Sequence, residues 1–70
     1  MEPLAQFSEN LRRLRLANGM TQEALSDATE LDPGEISRLE RGDRNPRLLT
    51  VVRIARGLDV TLPELLAGVE

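Results

Sequence analysis

Ser37, Arg38 and Arg41 stand within five positions of one another and are followed by Arg44, Asn45 and Arg47. A guanidinium is a flat fork of N–H donors, so it pairs with rigid groups that offer two acceptors side by side. A carboxylate, a phosphate and the O6 and N7 edge of guanine all qualify. Wound at about 100° per residue, Gly34, Arg38 and Arg41 share one side of a helix, with Ser37 beside them. Ile36 and Leu39 face the other way. Arg38 is the first candidate for donating to base edges. Glu35 could accept from an amine such as cytosine N4, but an acid at that position equally suits the start of a helix.

Other chemistries lack their parts. The nine basic residues are all arginine, and there is no Cys, His or Lys. Thiol and imidazole catalysis, disulfides, zinc ligation and a phosphate-binding lysine are therefore unavailable. One Phe and no Tyr or Trp leave no aromatic platform for unpaired bases. The acidic residues fall at helix starts and exposed faces, so a carboxylate-dependent hydrolase would have no facing acid pair. No enzyme activity, metal or cofactor is expected. There is no apolar run long enough to cross a membrane and no secretory leader pattern, so a cytoplasmic protein is expected.

The net charge of −3 conceals strong patterning. Residues 11–20 carry +3 and residues 38–56 carry +4, while residues 21–37 carry −5. Local basic blocks attract a polyanion even when the total is acidic.

The elements that must position these groups are all helices. Leu4, Phe7, Leu11 and Leu14 recur at helical steps, which predicts a first helix over about residues 3–17. Thr21 caps a short second helix that turns Leu25 and Ala28 inward and ends near Thr29. Asp32-Pro33-Gly34-Glu35 starts a third, with an N-cap carboxylate, Pro in the first turn and Glu three residues after the cap; Gly42 closes it. After the Arg44-Asn45-Pro46 loop, Leu48, Val51, Val52, Ala55 and Leu58 stripe a fourth. Thr61 caps a fifth that carries Leu62, Leu65, Leu66 and Val69. The expected fold is all-α, a compact five-helix bundle forming a single domain over residues 1–70.

Helices two and three are too short to stand alone and are joined by only three residues, which is the helix-turn-helix arrangement at about residues 21–41. Arg15 and Glu40 lie at the edges of their apolar stripes, where a lone charge is costly. A salt bridge between them is expected to tie the first helix to the third.

The segments N-G-M-T-Q-E-A-L-S, L-D-P-G-E-I-S-R-L-E-R-G-D-R-N-P and L-D-V-T-L-P-E-L-L resemble the Cro/repressor-type helix-turn-helix family. That family includes phage repressors and restriction–modification controller proteins, and the resemblance covers about residues 7–67. It implies a transcriptional regulator whose third helix enters the major groove of double-stranded DNA. By position it places Pro33, Gly34, Ser37 and Arg38 at base edges or flanking phosphates. Gln22 with its cap Thr21 and the loop residues Arg44, Asn45 and Arg47 fall at the phosphate backbone, and Arg41, on the outer side of the third helix, is expected at a phosphate as well. It also implies a buried Arg15–Glu40 bridge.

Four departures from the pattern involve five positions. Glu30 replaces the usual turn glycine, which implies a left-handed residue or a different turn. Pro33 and Gly34 lack hydrogen-bonding side chains, so DNA shape must supply part of the selectivity. Arg47 replaces a small polar cap, and Gly57 replaces an alanine inside the fourth helix.

One recognition helix reads too few base pairs to find a genomic site, so a homodimer on a palindromic operator is expected, with repression or autoregulation as its output. Leu62, Leu65, Leu66 and Val69 are the expected interface, with Leu49 joining them. No appended effector domain is expected, so regulation would run through concentration and dimer assembly. The competing reading is an antitoxin or other interaction module of the same fold that holds a toxin-like partner protein.

Overall fold

The computed structural model describes residues 1–70 and contains five helices: α1 (Pro3–Ala17), α2 (Gln22–Thr29), α3 (Pro33–Arg41), α4 (Leu48–Leu58) and α5 (Leu62–Leu65). The boundaries follow local chemistry. The Glu2 carboxylate caps α1 by accepting from the amides of Leu4 and Ala5 at 3.2 Å. Thr21 Oγ1 accepts from Ala24 N at 3.0 Å to start α2, and Asp32 Oδ2 accepts from Gly34 N at 3.1 Å to start α3. Thr61 and Glu64 form a reciprocal capping box on α5. Arg47 gives α4 no side-chain cap, so that site has lost the usual capping bond.

Ten apolar side chains make one core: Phe7 and Leu11 from α1, Leu25 from α2, Ile36 and Leu39 from α3, Val51, Ile54, Ala55 and Leu58 from α4, and Leu65 from α5. All five helices therefore depend on the same cluster. Buried side-chain polar atoms all have partners, and side-chain bonds to backbone carbonyls link the helices. Ser8 Oγ donates to Leu39 O at 2.7 Å, and Asn18 Nδ2 donates to Leu58 O at 2.6 Å, joining α1 to the ends of α3 and α4.

Several sequence expectations need correcting. On α2 the inward face is Leu25, Ser26 and Thr29, whereas Ala28 is exposed. The two hydroxyls can turn inward because backbone carbonyls receive them, Thr29 Oγ1 donating to Leu25 O at 2.8 Å and Ser26 Oγ to Leu31 O. On α4 the stripe includes Ile54, and Leu48 is 72% exposed. The buried set Val51, Ile54, Ala55 and Leu58 is centred about 70° from Leu48 at 100° per residue, and Leu48 lies in the first turn. The fifth helix stops at Leu65, because Asn10 Nδ2 takes Leu65 O at 2.9 Å and Ala67 O at 2.7 Å while Gly68 turns at φ +76°.

Two backbone features also depart from a simple reading. Glu30 sits at φ 62° and ψ 21°, the left-handed conformation expected if the glycine's turn is kept. Gly57 is more than a weak helix former. A Cβ there would lie 2.6 Å from Thr29 Cγ2, so the glycine lets α4 approach α2.

Candidate nucleic-acid interface

The groups behind α3 are the best fixed. Arg15 and Glu40, expected to pair, meet as a fork: Nε to Oε2 at 2.5 Å and Nη2 to Oε1 at 3.0 Å. Their side chains are only 10% and 5% exposed. The hydrogen bond to Glu40 raises the Arg15 pKa further, against the opposing effect of burial. Arg15 Nη1 donates to Met20 O at 2.8 Å, so one guanidinium ties α1, the α1–α2 turn and α3 together. A buried pair of this kind adds little net stability, but it fixes the angle at which α3 leaves the bundle.

Gln22 joins the same group, its Nε2 donating to Glu40 Oε1 at 3.2 Å. The amide expected at a phosphate is thus anchored from behind and keeps one N–H for another acceptor. Nothing in the spacing of residues 22 and 40 signals this contact. Thr21 is exposed, and its hydroxyl oxygen is the α2 cap.

On the outer side of α3, Pro33 and Arg38 are exposed, and Gly34 and Ser37 are partly covered. Gly34 keeps this corner low, because a Cβ would press on Asp32 Oδ2 at 2.8 Å and would lie 3.7 Å from Arg38 Nη1. Arg41 Nη1 donates to Ser37 Oγ at 2.8 Å, and its Nε donates to Asp43 Oδ2 at 3.0 Å. Arg44, Asn45 and Arg47 are exposed along the loop that follows. The guanidinium side of α3 and this loop therefore form one continuous, open face.

Glu35 corrects a sequence expectation. Its carboxylate makes no hydrogen bond back to the Asp32 backbone. Instead Oε1 lies 3.1 Å from Arg44 Nη2 and 4.0 Å from Arg38 Nη1. The two side-chain contacts within α3 itself, the Glu35–Arg38 ion pair and the Arg41–Ser37 hydrogen bond, stand at helical i,i+3 and i,i+4 spacing and were legible in principle. The Arg44 contact depends on the loop's path and was not.

The residues expected at an interface between subunits divide. Leu65 is fully buried within the subunit and is corrected to a core residue, because α5 points it between α1 and α4. Leu66 and Val69 are half-buried against that core. Leu62 is exposed, and Leu49 is 74% exposed beside the equally open Leu48. No helix is long and apolar enough to cross a membrane.

Comparison with known proteins agrees with this arrangement. Residues 11–65 match the helix-turn-helix family model. The chain is similar to the control protein C.SmaI of Serratia marcescens, with 36% identity over 60 residues that cover 86% of this chain and 71% of that one. It is also similar to the transcriptional regulator DdrOP3 of Deinococcus deserti, 37% identical over 62 residues, 89% of this chain but only 48% of that longer protein. Among solved structures, the restriction-modification controller protein C.AhdI from Aeromonas hydrophila superposes with a TM-score of 0.86 at 39% identity, covering 89% of this chain and 94% of that one. An all-helical bundle with a braced, arginine-bearing third helix and a family match over most of its length lead to one identification: the chain belongs to the helix-turn-helix family of sequence-specific, double-stranded-DNA-binding transcriptional regulators.

Proposed function

We propose that this regulator works as a homodimer on a palindromic operator and controls transcription as a repressor or autoregulator of the controller type. The observation that carries the reading is the outward arginine face of α3, held at a fixed angle by the buried Arg15–Glu40 fork. In this reading Arg38 and Ser37 donate to base edges, and Pro33 and Gly34 allow the backbone close to the groove. Glu35 stands at the same edge. Gln22 with its cap Thr21, Arg41, Arg44, Asn45 and Arg47 hold the phosphates on either side.

The dimer is supported by two adjacent leucines, Leu48 and Leu49, each more than 70% exposed, with Leu62 also open. So much apolar surface on a small subunit favours a partner, and a two-fold copy would set two recognition helices about 34 Å apart. Leu66 and Val69, half-buried against the core, would join that interface in this reading. Kinship with controller proteins supports the regulatory role.

Footprinting the purified protein on the DNA upstream of its own gene tests the reading. Two protected half-sites related by a dyad are expected, together with a dimer in sedimentation equilibrium that Leu49→Glu dissociates. Protection of one undivided half-site by a monomer would overturn it.

A further inference from the structure

Three of the four arginines on the α3 and loop face are already held by carboxylates of the same face. Glu35 Oε1 is shared between Arg44 at 3.1 Å and Arg38 at 4.0 Å, while Arg41 meets Asp43 at 3.0 Å. Arg47 alone has no acidic partner there. Glu35 differs from Asp43 in being only 26% exposed, fixed between α3 and the loop, whereas both arginines it holds are about half exposed. The carboxylate is the more covered member of the group, and the guanidinium groups are the more open ones.

We propose that Glu35 is a specificity residue that acts against non-cognate DNA: within the free protein it occupies the place a phosphate would take between Arg38 and Arg44. The inference rests on the reading that this face meets a duplex. Attraction to non-cognate DNA comes almost entirely from replacing counterions at the phosphates with protein cations. A guanidinium already neutralised by a fixed carboxylate replaces fewer of them, and the carboxylate itself repels the backbone. At the operator, base contacts offset that loss; elsewhere nothing does. A repulsive group that weakens all complexes, but is compensated in one, widens the ratio between them.

The test uses the intact protein and a duplex of arbitrary sequence, followed by fluorescence anisotropy across a salt series. Glu35→Gln keeps the side-chain shape and removes the charge, and Glu9→Gln removes the same charge from the exposed side of α1. Each arginine released should steepen the slope of log K against log salt by about 0.9 and tighten binding at about 0.1 M salt by about eightfold. Glu35→Gln removes one negative charge, so it should show a slope steeper by about 0.9 and about eightfold tightening, with Glu9→Gln close to the parent. In a background of Arg38→Gln and Arg44→Gln, the added Glu35→Gln should relieve only the direct repulsion and tighten binding much less than it does in the parent. An unchanged slope in Glu35→Gln, or an equal change in Glu9→Gln, would overturn the proposal. A parent protein that ignores duplex DNA at low salt would instead overturn the reading on which it rests.

Discussion

Gly57→Ala should destabilise the protein, against the ordinary preference of a helix interior for alanine. Propensity alone favours the substitution by about 1 kcal/mol. The new methyl would lie 2.6 Å from Thr29 Cγ2, well inside contact distance. Thr29 cannot turn the methyl aside freely, because its hydroxyl donates to Leu25 O at 2.8 Å and accepts from Leu31 N at 3.3 Å, and the residue is buried. Relief must come from separating α2 and α4, and overpacking of this sort costs about 1–3 kcal/mol. Where the clash costs about 2 kcal/mol, the net loss is about 1 kcal/mol, a fall in Tm of about 4–8 °C for a domain of this size. Thr29→Ser removes Cγ2 and keeps the hydroxyl, so in that background Gly57→Ala should become neutral or stabilising. Thermal melts by circular dichroism at one fixed protein concentration would complete the double-mutant cycle. A higher Tm for Gly57→Ala alone, or the same effect with and without the Thr29 methyl, would refute the steric argument.

Other expectations concern the brace, the turn, the DNA face and the last cap. Glu40→Ala strands the buried Arg15 charge and should cost about 3–5 kcal/mol in urea denaturation, most of it recovered when Arg15→Met is added. Glu30→Gly relieves a left-handed non-glycine residue and should raise the urea midpoint by the equivalent of about 0.5–1 kcal/mol, with the slope unchanged. In operator binding, Arg38→Ala should lose about 1–3 kcal/mol together with discrimination at one base position per half-site, measured on a set of single-substituted duplexes. Arg47→Ala should weaken binding to all those duplexes alike and lower the salt slope by about 1. The Glu64 carboxyl is held below its ordinary 4.5 by the Thr61 amide and hydroxyl, so the cap's contribution is complete above 4.5 and lost as pH falls through the lowered value. Thr61→Ala should move the Glu64 titration, followed by NMR, back up toward 4.5.

What the chain discloses before folding is unequal, and the reasons are physical. Helix starts are local events, so Thr21, Asp32-Pro33 and Thr61 with Glu64 announced α2, α3 and α5 within a residue. The Arg15–Glu40 fork was legible because two charges at the edges of two apolar stripes have few other solutions. Inward hydroxyls were not, since Ser26 and Thr29 look polar until the carbonyls that receive them are in place. Nor was the end of α5, which depends on Asn10, more than fifty residues away, reaching the carbonyl of its last residue and that of Ala67 just beyond it. The arginine face of α3 was legible in its residue types and not in their pairing. Nothing local says that Glu35 would leave the helix cap and hold Arg44.

The shared core of ten side chains governs how the molecule meets its target. Because Ile36 and Leu39 of α3 share their core with every other helix, the surface α3 would offer in the proposed complex is preorganised. Docking then loses little conformational entropy within the protein, and any mismatch in curvature must be taken up by the duplex. Base steps that bend or narrow cheaply will be favoured even where no side chain reaches them, and the stiffness of this small bundle becomes part of what it recognises.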